Sequence, residues 1–351
     1  MRTKGYAVHK AGTPLTPWTF ERRSPRPDDV VLEVLYSGIC HSDLHQVDND
    51  WGFAQFPMVP GHEIVGRVIE VGSAVKKFKV GDAGAVGCMV DSCQHCDQCR
   101  KGKEQFCREG MVPTYAGNDR IDGSLTQGGY SRHIVVREEF VCTVPEGMDL
   151  SRTAPVLCAG ITTWSPLRAL KVGPGSRVGV VGMGGLGHMA AKLALALGAT
   201  VTMISRGEAK RKAALDIGVD HYLVSSDADA MSVMANSLDV IIDTVPVRHD
   251  MDPYISLLDV EGTLAIVGAV GEWEEVNGNG VMFGNRSIRG SMIGGIAETQ
   301  EVIDFCARMN ILPECRIIRP DEINNAFNTL KTLDTPYRFV IDMALIESES
   351  H

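Results

Sequence analysis

At 351 residues the chain exceeds one usual domain and can bury two cores, and its 44% hydrophobic and 22% charged residues are the proportions of an ordinary soluble globular protein. Its 34 basic against 44 acidic side chains leave a formal charge of −10, which argues against a nucleic-acid surface. The opening MRTKGYAVHKAGTPLTPW carries no long apolar run, so neither a secretion signal nor a membrane span is expected, and ten cysteines in that setting suit a reducing cytoplasm.

Residues 30–36 (VVLEVLY), 64–71 (IVGRVIEV) and 133–136 (HIVV) are short apolar runs set between Gly- and Pro-bearing turns. They predict an antiparallel, partly barrel-like β body. Cys40 follows the first run in GICHSDLH, His62 precedes the second in PGHEIVG, and Cys158 lies in APVLCAG. Separations of 22 and 96 residues do not link them, and each alone reads equally well as a structural thiol or a turn histidine. Taken together, two thiolates and an imidazole make a three-ligand zinc set that leaves a fourth position open for water or substrate.

Between these residues, CQHCDQCRKGKEQFC sets Cys93, Cys96, Cys99 and Cys107 in C-x2-C-x2-C-x7-C spacing. The intervening residues are polar and charged, so the thiols are not simply filling a core. Four soft donors on one short loop predict a closed structural zinc site, which fixes a loop (about 88–110) and performs no chemistry. Cys88, Cys142, Cys306 and Cys315 lack ligand-like neighbours in sequence and are expected to serve as small apolar side chains.

From Gly173 the texture becomes apolar strands alternating with helical stretches, the signature of a parallel sheet. Six strands are predicted, at 178–181, 201–204, 222–224, 240–243, 263–267 and 288–292, followed by an amphipathic helix at 299–309, a strand at 337–343 and a loose tail at 347–351. RVGVVGMGGLGHM reads as strand, glycine turn and helix. Gly182 permits the tight turn, Gly184 lets the backbone approach a pyrophosphate, and Gly187 lets the helix pack on the strand, with Gly185 and Leu186 between them. The second strand ends on Ser205-Arg206, with Lys210 one helical turn further on, where an NAD site usually carries a carboxylate. A hydroxyl and two cations suit the 2′-phosphate of NADP(H). The competing reading gives the ribose to Glu208.

CHSDLH, PGHEIVGRV, GDAGAVGCMVDSCQHCDQC, LCAGITTWSPL and GMGGLGHM together resemble the zinc-dependent medium-chain alcohol dehydrogenases, in particular their cinnamyl alcohol dehydrogenase-like branch with its bacterial broad-specificity aldehyde reductases. The likeness runs over residues 30–342. It implies a GroES-like catalytic domain (1–157, completed by 297–351) with an inserted Rossmann-type, doubly wound six-stranded parallel sheet (158–296). It further implies two Zn2+ per chain: a catalytic ion on Cys40, His62 and Cys158, with Glu63 able to take the fourth position, and a structural ion on the four-cysteine loop. Asp43 is similar to the acid behind the ligands, and Arg338 in YRFV is similar to the arginine that pairs near it and to a cofactor contact.

The activity so implied is reversible hydride transfer between nicotinamide C4 and a zinc-bound primary alcohol or aldehyde, aromatic or medium-chain aliphatic. The proton would leave through the Ser42 hydroxyl, the cofactor ribose and His45. Trp51, Tyr115, Trp164 and Ile293 are candidates for pocket walls or for ordinary packing, and strand 287–292 resembles the edge across which a homodimer forms. Two rival readings are a same-fold reductase of activated double bonds and a non-catalytic, nucleotide-sensing zinc protein.

Overall fold

The computed structural model describes residues 1–268, 271–272, 275–332, 335 and 337–346; the tail at 347–351 lies outside the described residues. The chain forms two compact units, Met1–Cys158 with Gly294–His351, and Ala159–Ile293.

The spine of the first unit is the strand Asp29–Gly38, whose Val30, Val31, Leu32 and Val34 are all fully buried. A run this apolar on both faces belongs at the centre of a sheet. It pairs antiparallel with Ile64–Val71 along one edge, and with His133–Arg137 and Arg338–Asp342 along the other. Ala83–Val86 and Cys142–Thr143 extend the sheet beyond Ile64–Val71, and Cys315–Ile318 lies parallel outside Arg338–Asp342, giving seven strands. The register Val340↔Gly38 sets the C-terminal strand against the end of the spine, and so brings Arg338 beside residues some 300 positions earlier. Cys315–Ile318, and the Arg2–Ala7/Thr16–Glu21 pair, were not legible as strands; the former is four residues flanked by charges, and the latter contains Pro17.

The second unit holds six parallel strands in the order His221–Val224, Thr200–Ser205, Arg177–Val181, Leu238–Asp243, Leu258–Ile266 and Ser287–Gly290. Each matches an expected strand, with ends shifted by up to five residues. The chain order reverses between Arg177–Val181 and Leu238–Asp243, the topological switch point of a doubly wound sheet, where a crevice opens at the strands' carboxyl ends. Ile204, Ile241, Leu258 and Leu264 are fully buried in its core.

Candidate functional site

Cys40 stands between the spine strand and the helix His41–Asp48, His62 and Glu63 stand just before the Ile64–Val71 strand, and Cys158 closes the first unit. One donor atom from each of these four lies within 4.8 Å of all the others, and all four residues are buried. The Cys40 and Cys158 sulfurs are 3.8 Å apart. A tetrahedron of ~2.3 Å zinc–sulfur bonds spaces its corners by roughly that distance, so the donor set fits Zn2+. The hydrogen bond from Cys158 draws the Cys40 thiol well below its ordinary range against the effect of burial, and the same contact pushes Cys158 up.

Asp43 organises this cluster from behind. It is fully buried, and its carboxylate accepts from Cys40 N–H at 2.9 Å, Gly61 N–H at 3.2 Å and the Tyr130 hydroxyl at 2.9 Å. His62 Nδ1 lies 3.1 Å from Asp43 Oδ1, which fixes the ring and leaves Nε2 as the nitrogen for a metal. Burial alone would lower the His62 pKa, but the Asp43 carboxylate together with the Cys88 and Cys40 thiols outweighs it and holds it well above the ordinary value. Tyr115 stacks on the His62 ring at 5.9 Å. Tyr130 was not singled out from the sequence, since a tyrosine after two glycines carries no signal of an acid partner remote in the chain.

Arg338 is engaged by Glu63 in a buried ion pair, and the other Glu63 oxygen, Oε2, has no hydrogen-bond partner. Burial pushes the Glu63 carboxyl up to about 7 against the opposing Arg338 guanidinium. The arginine expected near Asp43 therefore has Glu63 as its partner.

Cys88 departs from expectation. The turn between Ala83–Val86 and Met89–Asp91 carries it beside the cluster, its thiol donating to Leu157 O at 3.7 Å and its pKa drawn down by the neighbouring Cys158 thiol. It is a polar neighbour of the ligands and not simple apolar filling. Ser42 and His45 sit one turn apart on the His41–Asp48 helix. Asp50 Oδ2 lies 2.8 Å from His45 Nδ1, and Trp51 lies tilted against His45 and stacks on Phe53, with Trp51 and Phe53 both exposed. Trp164 is only 1% exposed and lies under the Arg168 guanidinium, as a packing residue does.

The four-cysteine loop is built as its spacing implied. The sulfurs of Cys93, Cys96, Cys99 and Cys107 form a second group within 4.8 Å, with Cys93–Cys99 at 3.8 Å and Cys96–Cys99 at 3.5 Å. Backbone N–H groups of Cys96, Cys99 and Arg108 point at these sulfurs, as they do where thiolates must be stabilised. This geometry suits a closed Zn2+ site with no open position.

In the second unit, Gly182 adopts φ +88°, a left-handed conformation that disfavours side chains, and a β-carbon on Gly187 would stand 1.8 Å from Gly182 O. The turn can be built only with glycine at both places. The helix Gly185–Ala196 follows, with its free N–H groups at the crevice. Ser205 ends its strand, Arg206 is exposed, and Lys210 Nζ donates to Met183 O at 3.0 Å, which ties the basic segment to the glycine turn. Glu208 lies on the surface, where Arg211 engages it in an exposed ion pair. A cradle with two cations and no carboxylate at the strand end fits a 2′-phosphorylated dinucleotide.

Residues 26–146 match the family model described as an alcohol dehydrogenase GroES-like domain, and residues 185–308 match that of a zinc-binding dehydrogenase. The chain is 48% identical over 344 residues to NADP-dependent alcohol dehydrogenase C 1 of Mycolicibacterium smegmatis, covering 98% of both chains. It is 46% identical to aldehyde reductase YahK of Escherichia coli, over 97% of this chain and 98% of that one. The solved structure of CAD from Helicobacter pylori complexed with NADP(H) is similar at a TM-score of 0.92 and 42% identity, covering 98% of this chain and 99% of that one.

Proposed function

The chain belongs to the zinc-dependent alcohol dehydrogenases with a GroES-like domain, and from that premise we propose that it interconverts small alcohols and aldehydes with NADP(H) at the Cys40–His62–Cys158 cluster. One observation carries this reading: two thiols, an imidazole and a carboxylate converge within 4.8 Å in a buried site. A neutral alcohol does not release hydride readily. Bound zinc supplies a Lewis acid that favours its deprotonated form or polarises the aldehyde, and NADP(H) accepts or supplies the hydride.

The chain's own residues do the rest. Cys40, His62 and Cys158 hold the ion, and Asp43 keeps the imidazole turned toward it. Glu63 Oε2, lacking another partner, is available to the ion during ligand exchange, while Arg338 retains the second oxygen. Ser42 passes the substrate proton outward, and His45 receives it at Nε2, because Asp50 engages Nδ1. Cys93, Cys96, Cys99 and Cys107 close the structural zinc. Gly182, Gly184, Gly185, Leu186 and Gly187 cradle the pyrophosphate, Ser205, Arg206 and Lys210 take the 2′-phosphate, and Arg338 is retained as a cofactor contact. The exposed Trp51–Phe53 pair beside His45 favours an aromatic or medium-chain aliphatic substrate.

On this reading the first unit is the catalytic domain and the second the cofactor domain. The Ser287–Gly290 strand, paired on one side only among the described strands, joins a homodimer, and the ten free cysteines suit a reducing cytoplasm. No described helix is long and apolar enough to cross a membrane.

The test is metal content together with NADPH oxidation by benzaldehyde or cinnamaldehyde, on wild type and Cys158→Ser. Two zinc ions falling to one, with activity lost and the fold kept, is the expected outcome. A variant that keeps both zinc and turnover overturns the ligand set. An inactive, zinc-loaded wild type would favour the double-bond reductase or the nucleotide sensor.

A further inference from the structure

The Leu238–Asp243 strand ends on a fully buried carboxylate at the switch point of the sheet, directly beside the strand that leads into the glycine turn, with Val181 and Asp243 in register. The segment that follows is stitched to that turn. Thr244 N–H and Oγ1 both donate to Val181 O, the hydroxyl at 2.7 Å, and Oγ1 also reaches Gly182 O at 3.3 Å. A β-carbon on Gly182 would meet Thr244 Oγ1 at 2.8 Å. Residues 244–248 therefore form the wall of the dinucleotide crevice opposite the glycine turn.

From Pro246 to Arg248 this wall is exposed, yet it returns to a fixed anchor. His249 Nε2 lies 2.9 Å from Asp243 Oδ2, and His249 Nδ1 lies 2.7 Å from Val247 O. Both ring nitrogens thus face oxygen atoms, one on the buried carboxylate and one on the backbone of the exposed wall. The second Asp243 oxygen accepts from Val245 N–H at 3.1 Å, and Tyr254 packs edge-on against the imidazole at 5.9 Å. One carboxylate thus grips both ends of a five-residue turn, through Val245 at its start and His249 just past its end.

We propose that Asp243 and His249 form a positioning clamp that pre-sets the 244–248 wall for NADP(H), so that the cofactor does not have to order it on binding. The inference rests on the NADP(H) reading above. Without the clamp, the turn loses its anchor and cofactor binding takes on the cost of ordering it. Chemistry at the zinc cluster uses none of these groups, so the loss falls on cofactor affinity and leaves turnover of the filled enzyme largely intact.

The experiment is fluorescence titration of the zinc-loaded enzyme with NADPH, with KM and kcat measured in parallel, on wild type, His249→Ala, His249→Phe and His249→Gln. His249→Ala and His249→Phe are expected to raise the Kd and KM for NADPH about tenfold, the scale of one lost charge-assisted hydrogen bond. Their kcat at saturating NADPH should stay within about twofold, since orientation of the bound cofactor is set by the glycine turn. His249→Gln, whose amide still donates to Asp243, should recover most of the affinity. His249→Phe keeps the ring volume, and it carries the test should the alanine variant fail to fold. Wild-type affinity in His249→Phe overturns the clamp alone, as does a glutamine variant no better than phenylalanine. A wild type that does not bind NADPH overturns the cofactor reading and the clamp together.

Discussion

Glu63 and Arg338 meet as a buried ion pair across 275 residues of sequence, with one carboxylate oxygen on the guanidinium and the other buried without a hydrogen-bond partner. The contact exists because the C-terminal strand completes the sheet begun by Asp29–Gly38. Removing the cation strands a carboxylate in a site that excludes water. Arg338→Met should therefore destabilise the protein by about 3–5 kcal/mol. Glu63→Gln combined with Arg338→Met should cost markedly less, since neither charge then remains buried. Urea denaturation at fixed zinc measures both, and equal losses in the single and double variants would contradict the pairing.

Asp43 bears on zinc affinity more than on stability alone. It accepts from Cys40, Gly61 and Tyr130 while fixing the His62 ring. Asp43→Asn replaces one acceptor oxygen with a donor, and that amide must face either His62 or a second donor. The catalytic ion should bind about 10–100-fold more weakly, with the four-cysteine site unaffected. Competition with a chromophoric chelator would resolve one weakened ion and one unchanged.

For the cofactor, Arg206 is the cleaner probe, because Lys210 also braces the glycine turn through Met183 O. Arg206→Ala should lower kcat/KM for NADPH by about 10–100-fold, the scale of losing a charge-assisted hydrogen bond to phosphate, and leave NADH nearly unchanged. Parallel loss with both cofactors would remove Arg206 from the 2′-phosphate site.

The contrast between these residues shows what was legible in the sequence. The four-cysteine loop and the glycine turn are local devices whose geometry follows from spacing, so both could be read directly. The parallel sheet was readable because its central strands, Thr200–Ser205, Arg177–Val181 and Leu238–Asp243, are apolar runs that are almost wholly buried. Cys40, His62 and Cys158 are linked only through sheet pairings remote in sequence; their donor chemistry suggested a three-ligand set, and likeness to a family supported it. Tyr130 on Asp43, Cys88 beside Cys158 and His249 on Asp243 escaped reading, because each depends on a tertiary turn or register that leaves no periodic trace. The short Cys315–Ile318 strand was missed for a related reason: four residues are too few to show alternation.

His45 is held by Asp50 at 2.8 Å and rests against Trp51. If it takes the proton passed on by Ser42, His45→Gln should lower kcat for alcohol oxidation by about 100-fold, the usual yield of a positioned acid–base group. Metal content and NADPH affinity should not change. A rate within twofold of wild type would leave His45 as a surface residue stacked on a tryptophan.

His133 gives the fold an acid-sensitive point away from the zinc cluster. Its ring lies 3.1 Å from Thr3 Oγ1, and burial, aided by Arg132 and Arg22 against Glu33, lowers its pKa to about 4. In the unfolded chain a histidine titrates near about 6.5. Between these values the unfolded state takes up a proton that the folded state refuses. The stability associated with the neutral ring is therefore fully present above about 6.5, falls as pH drops through that window, and levels off below about 4. The stability difference between wild type and His133→Gln should shrink or change sign as urea denaturation is repeated from pH 7.5 down to 4.5. Acid release of zinc affects both proteins and cancels in that difference, so parallel curves would mean that His133 is protonated in the folded state as readily as in the unfolded one.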